Sequence, residues 1–376
     1  MRPAEKAAGI TKGGTGMKIV NIGDVLLRPE MMEKALVGFE RYKEKESFFF
    51  GPSTQSEMRA YIKHMEAVGS RCVPLPPEIL EACRDADVLQ VHQGPVPSEI
   101  FETAGKLKLV LVNRGGIENI DMEAACRAGV PVLANPAHNA NSVAELTIGL
   151  MIAETRNIGR CHASMSVLHK WRETCPNSGR CHELKGRTVG LVGFGTIGRI
   201  VAQLLQAFQV HLLVYDPYIE PEKIAAVGGT SVSLEMLLQN SDIVSLHARV
   251  SESTRGMMGE AEFRMMKPTA VFINTARAPL VDTDALYKAL REQWITGAAL
   301  DSYHIEPIPE DDRFLRLDNV TFCCHKGGDT VESFENSPYM VLSEAERFFG
   351  GELPRFLMNP QVLKDRGISG CEEKEG

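Results

Sequence analysis

Thr188 to Phe208 reads TVGLVGFGTIGRIVAQLLQAF, in which Gly193, Gly195 and Gly198 follow a short apolar run and open an amphipathic helical pattern. A strand, a glycine turn and a helix in this order form a docking place for a dinucleotide's pyrophosphate. The first glycine permits the tight turn and the second lets the backbone approach the phosphates. The third lets the helix pack closely on the strand while its N-terminus faces the anion. The next apolar run, HLLVYDP, ends in Asp216, 23 residues beyond Gly193. That spacing suits a carboxylate that binds the adenosine ribose hydroxyls and repels the extra phosphate of NADP. Pro217, Tyr218 and Ile219 offer no cation to receive that phosphate, so NAD is the expected cofactor. Taken alone, the turn has two rival readings, packing without a ligand or a different nucleotide-type ligand such as S-adenosylmethionine.

Outward from the turn, β-rich apolar runs alternate with helical patterns: KIVNI, VLQVH, LKLVLV and VPVLA before it, and HLLVYD, DIVSLH, AVFINT and VTFCC after it. This alternation implies an α/β protein with largely parallel sheets. About half of the 376 residues precede the glycine turn, so the first half must form another domain. Ser142 and Glu145 have the form of a capping box at the head of an apolar helix, which places a domain boundary just before it.

The formal charge of -8 and pI near 5.8 argue against a phosphate backbone as partner. The apolar stretch Leu146 to Ala153 is too short to cross a bilayer, and the first sixteen residues lack the apolar core of a signal peptide. Nine scattered cysteines fit reduced thiols in a cytoplasm better than a disulfide framework. The residues before Met17 read either as a flexible tail or as an upstream start.

Five segments, VGLVGFGTIGR, SDIVSLHARVSESTRGMM, AVFINTARAPLVD, GAALDSYHIEPIP and NVTFCCHKGG, together resemble the D-isomer-specific 2-hydroxyacid dehydrogenase family, which includes phosphoglycerate dehydrogenase-like, glycerate/hydroxypyruvate and D-lactate enzymes. The resemblance runs from about Met17 to about residue 355 and is strongest from Val189 to Gly328. It implies two Rossmann-like or flavodoxin-like domains with a cleft between them. Residues 17–136 and 325–360 would build the substrate domain, residues 137–324 the NAD domain, and 1–16 and 361–376 flexible tails. It also suggests a homodimer through the NAD domain.

The resemblance assigns catalysis to Arg277, Glu306 and His325. The chemistry requires such types. Oxidising a 2-hydroxy acid removes a hydride from carbon and a proton from oxygen, so one group handles the proton while another grips the carboxylate. Imidazole titrates near neutrality and a neighbouring carboxylate orients it, while a guanidinium holds a carboxylate through two donors. By the same resemblance Thr196 and Ile197 lie at the pyrophosphate turn, Thr275 and Ala276 line the cofactor cleft, and Asp301 binds the nicotinamide carboxamide. His247, Thr254 and Gly327 also fall on the cofactor side, next to Arg277 and His325. The loop NRGGIEN, with Gly115 and Gly116, would offer N–H groups to the substrate carboxylate.

Two departures stand out. Cys324 and Lys326 flank His325 where the family commonly has a proline and an apolar residue. Lys326 and Arg114 are thus candidates to recognise a second anionic group, a phosphate or another carboxylate. The blander reading has them neutralise Asp329 or Glu118, or point to solvent. Cys323 and Cys324 could oxidise, though adjacent cysteines form a strained disulfide. Cys161, His162, His169, Cys175, Cys181 and His182 match no closed zinc pattern, so no metal is expected. The expected activity is interconversion of a D-2-hydroxy acid and its 2-oxo acid. The alternative is an NAD(H)-sensing corepressor-type protein on the same fold.

Overall fold

The computed structural model describes residues 16–364. The expectations for residues 1–15, for the tail from 365 onward and for Cys371 fall outside them. The chain forms two compact units, 16–138 with 330–364, and 139–329.

The first unit is built on a parallel sheet of β1 (Met17–Gly23), β2 (Tyr42–Phe49), β3 (Val88–Val91), β4 (Leu109–Val112) and β5 (Val132–Leu133), in the order β2-β1-β3-β4-β5. Its inner strands are apolar at nearly every position because both faces are covered. Val20, Ile22, Leu89, Val91, Val110 and Val112 pack to one side with the helices Pro77–Cys83, Ser98–Thr103 and Met122–Arg127. Ile19, Val88, Leu109, Leu111 and Leu133 pack to the other with Val341, Leu342, Ala345 and Phe348 of the helix Val331–Phe349.

The second unit has seven parallel strands: β6 (Thr188–Val192), β7 (His211–Tyr215), β8 (Gly229–Ser231), β9 (Ile243–Leu246), β10 (Val271–Asn274), β11 (Gly297–Leu300) and β12 (Val320–Phe322). Their order is β12-β11-β10-β9-β6-β7-β8. The chain runs outward from β6 through β7 and β8, then returns to β9 on the other flank of β6. Loops at the carboxyl ends of β6 and β9 therefore part at the switch point where ligands bind in such sheets.

The apolar helix runs over Ala140–Thr155, capped by Asn139 without a side-chain bond. Ser142 is not its cap, contrary to the expected capping box. It lies in the first turn and its hydroxyl donates to the Gly327 carbonyl at 2.5 Å. At the helix's other end the buried Glu154 accepts from Arg160 at 2.7 and 2.8 Å and from the Thr321 hydroxyl at 2.6 Å. Residues 325–329 pack with this second unit rather than with the first, as the bonds to Asp301 described below explain. Among the described residues no helix is long and apolar enough to cross a membrane.

Candidate active site

Three loops at strand ends of the second unit carry the candidate residues. The first follows β6. Gly193 adopts φ +101, and a Cβ there would lie 2.6 Å from the Ala248 amide nitrogen. A Cβ on Gly198 would come 2.5 Å from the Gly193 carbonyl oxygen, so helix and turn touch through backbone. A Cβ on Gly195 would meet nothing within 4 Å. Gly195 caps the helix Thr196–Gln206 without a side-chain bond, so no capping side chain claims the first N–H groups. Thr196 is exposed in this first turn and Ile197 is half-buried behind it.

Asp216, just past β7, accepts the Phe194 N–H at 2.7 Å and the Tyr218 N–H at 3.0 Å. The carboxylate is thereby anchored to the glycine turn itself. Uncapped amides, open ground before them and a carboxylate one strand away fit NAD. At the end of β9 the backbone of His247 walls the turn, and its Nε2 lies 3.0 Å from the Ser245 hydroxyl. Burial lowers the pKa of His247 to about 4, which keeps the ring neutral. Thr254 closes its own loop by donating to the Arg249 carbonyl at 2.6 Å.

The second loop follows β10. Asn274 shapes it by accepting the Ala276 N–H at 3.0 Å and donating to the Arg277 carbonyl at 3.3 Å. Thr275 is buried, its hydroxyl 2.8 Å from that of Thr147. Arg277 is exposed and donates to the Ala276 carbonyl at 2.9 Å. Among the described residues no carboxylate pairs with it, so its guanidinium edge remains available to an anion.

The third loop follows β12 and brings His325 to Glu306, with Nδ1 2.6 Å from a carboxylate oxygen. His325 stands at φ +52, a left-handed conformation that a residue with a Cβ adopts only under restraint. Asp301 supplies restraint: its two oxygens accept the N–H groups of Lys326 at 2.7 Å and Gly327 at 2.8 Å. A Cβ on Gly327 would lie 2.9 Å from that carboxylate, so only glycine fits.

Both extra cations stand in ion pairs. Lys326 pairs with Asp329. Arg114, in the first unit, is bracketed by Glu66 and Glu118, each at 3.1 Å, and donates to Gln93 at 2.9 Å. Gly115 packs against Pro136, and Gly116 lies between the Arg114 and Glu118 side chains.

Sequence reasoning missed a buried pair beside this loop. Asp24 accepts the His92 ring at 2.7 Å and the N–H groups of Leu26, Leu27 and Gln93. Burial alone would raise its pKa, but His92 and these amides outweigh it and hold the carboxyl below the usual aspartate range. His138 was also missed: burial lowers its pKa to about 4, and its Nδ1 lies 2.8 Å from the Asn135 carbonyl. The signal for the first was HQGP, a histidine ending an apolar strand; the second had none.

Burial pushes the Cys323 thiol up to about 11, which suppresses its reactive thiolate. In the segment Cys161 to His182, no three side chains among the described residues converge as metal ligands. Cys181 instead receives a bond from Asn157 at 3.2 Å.

The family model described as "D-isomer specific 2-hydroxyacid dehydrogenase, NAD binding domain" matches residues 148–327. The chain is 37% identical over 291 residues to a glyoxylate reductase of Korarchaeum cryptofilum, covering 77% of this chain and 87% of that one. It is also 37% identical over 292 residues to a D-3-phosphoglycerate dehydrogenase of Methanocaldococcus jannaschii, covering 77% and 55%. In fold it is similar to the D-isomer specific 2-hydroxyacid dehydrogenase of Lactobacillus delbrueckii ssp. bulgaricus, solved with NAD, with a TM-score of 0.72 at 22% identity over 91% of this chain and all of that one. With the glycine turn, Asp216 and these relatives in agreement, the chain belongs to the D-isomer specific 2-hydroxyacid dehydrogenase family and is an NAD-dependent enzyme.

Proposed function

We propose that the enzyme interconverts a small D-2-hydroxy acid and its 2-oxo acid, with His325, Glu306 and Arg277 as its catalytic residues. The 2.6 Å contact between His325 Nδ1 and Glu306 carries the reading. NAD supplies the hydride acceptor, or as NADH the donor. Glu306 fixes the ring's tautomer and leaves Nε2 to exchange the proton of the substrate hydroxyl. Arg277 binds the carboxylate through paired donors and stabilises charge on the neighbouring oxygen. The exposed His325, and an exposed Arg277 that meets no carboxylate among the described residues, support both roles.

The preferred substrate is a 2-oxo acid with one carboxylate rather than a phosphorylated or dicarboxylic one. Two carboxylates already bracket Arg114 and one neutralises Lys326, so neither presents net positive charge to a second anion. The glyoxylate reductases among its relatives support the same choice. A panel of 2-oxo acids followed by NADH consumption tests this. Glyoxylate or pyruvate should surpass phosphohydroxypyruvate in kcat/KM, and the reverse order refutes the choice. The substitution His325→Ala should abolish turnover while NADH binding persists; retained turnover refutes the dyad.

Homodimerisation is part of the same proposal. Ile158, Met165, Val167, Leu168 and Trp171 crowd one short segment of the second unit and are exposed, Trp171 to 77%. Apolar patches of this kind mark protein interfaces. Sedimentation equilibrium at micromolar concentration should return a dimer; a monomer overturns it. The eight described cysteines are all thiols, which suits a reducing, cytoplasmic compartment. Fractionation that places the protein outside the cytoplasm would refute that location.

A further inference from the structure

Tyr303 touches Glu306 and the strand end that leads to His325. Its hydroxyl lies 2.6 Å from the Cys323 carbonyl and 2.8 Å from the Leu300 carbonyl, and it accepts the Cys323 N–H at 3.1 Å. Leu300 ends β11 and Cys323 follows β12, so one hydroxyl joins the two strand ends just before His325 departs. Its backbone N–H donates to one Glu306 oxygen at 2.9 Å, while the other oxygen meets His325. Burial raises the phenol's pKa, so it stays protonated and can donate.

Packing alone does not call for a tyrosine. The ring stacks on Phe322 with centroids 6.4 Å apart, a contact that phenylalanine would keep. The hydroxyl therefore acts on the backbone, and the backbone it holds is the segment carrying a histidine at φ +52. Asp301 grips this loop only after His325, at Lys326 and Gly327. Before His325, the ladder bond from Cys323 N–H to the Leu300 carbonyl at 2.9 Å and the Tyr303 hydroxyl share the task.

We propose that Tyr303 is a positioning residue for the proton exchange that accompanies hydride transfer: its hydroxyl fixes the strand end from which His325 projects, and its amide fixes the carboxylate that orients the ring. The inference rests on the reading of His325 and Glu306 as the proton-exchanging pair. A ring displaced by even a fraction of an ångström from its partner loses proton transfer long before it loses cofactor or substrate binding.

Tyr303→Phe keeps the ring and removes only the hydroxyl. Expected is a fall in kcat of about tenfold or more, with KM values for NADH and the oxo acid within about twofold and fluorescence titration of NADH unchanged. In a Glu306→Gln background the same change should cost less than about threefold, because a ring that its carboxylate no longer orients gains little from a fixed strand end. A residue that merely stabilised the fold would lower Tm, shift KM with kcat and cost the same factor in both backgrounds. That pattern, or a Tyr303→Phe enzyme with full kcat, overturns the inference. His325→Ala, run in parallel, separates the two ideas. Turnover without His325 refutes the dyad itself, whereas loss of turnover there beside an unimpaired Tyr303→Phe refutes the role of Tyr303 alone.

Discussion

The substitution Asp301→Asn should loosen the loop that carries His325. Asp301 is 2% exposed, and each carboxylate oxygen accepts one backbone N–H, from Lys326 at 2.7 Å and from Gly327 at 2.8 Å. Asparagine offers one carbonyl oxygen and one NH2 group, so one of the two amides would face a second donor. A hydrogen bond to a charged acceptor contributes about 1.5–3 kcal/mol and a neutral one about 1 kcal/mol. One bond is lost and the other weakened, while the smaller cost of burying a neutral amide offsets part of the change. The net loss is about 2–3 kcal/mol. If the loop unfolds with its unit of about 190 residues, Tm should fall by roughly 4–12 °C. If the loop frees itself separately, Tm holds and kcat should fall instead, by up to about 30- to 150-fold at 1.4 kcal/mol per decade. Differential scanning calorimetry beside steady-state kinetics reads both. Tm within about 1 °C and kcat within about twofold of the parent, with an intact fold, would refute this account. A rise in the NADH Kd alone would assign the carboxylate to the nicotinamide carboxamide.

Asp216→Ala should narrow the preference for NADH over NADPH by removing the carboxylate beside the turn; equal affinities in the parent enzyme would defeat this. Gly195→Ala adds a methyl that meets no protein atom, so Tm should stay constant while NADH affinity falls about tenfold or more through contact with the pyrophosphate. Unchanged affinity would show that the space before the helix is not the phosphate site. Asp24→Asn should destabilise most above about pH 4, the ordinary aspartate range. The folded carboxyl is held below its unfolded value, so its contribution is present above the unfolded pKa and is lost as pH falls through the lowered one. A Tm deficit that stays constant from pH 2 to 7, measured calorimetrically, would contradict it.

What the sequence disclosed followed from burial. Strands such as β1, β3, β4, β6 and β9 are covered on both faces and announce themselves as apolar runs. β2, at a sheet edge, reads YKEKESFF and has four consecutive exposed positions, so its lysines and glutamates hide a strand. β8, at the other sheet's edge, has only three residues. β11 is interior yet reads GAAL, because a Cβ on Gly297 would lie 2.1 Å from the Glu154 carboxylate and larger side chains are excluded. In the site, the family resemblance named His325 and Glu306, and the fold brings them to 2.6 Å. The charge state of the surroundings was not legible. Whether Arg114 faces a ligand or Glu66 depends on a residue 48 positions away, and no local pattern reports that. Ser142 fitted a local rule, yet a carbonyl 185 residues distant claims its hydroxyl.

Because the second unit is inserted within the first, the two complete their cores at different moments of synthesis. Residues 139–329 are contiguous and hold everything their sheet requires, whereas Ile19, Val88, Leu109, Leu111 and Leu133 are covered by Val341, Leu342 and Phe348. At about 5–20 residues per second, a ribosome that has made β5 takes roughly 10–40 s to reach the end of the covering helix. Throughout that interval the part of this face that the late helix covers is bare, with Ala35, Leu36 and Tyr42 from earlier in the chain beside it, an apolar surface for chaperones to guard or for other nascent chains to meet. A nascent chain stalled just past Asp329 should therefore lose its first 138 residues to limited proteolysis while the stretch after them resists.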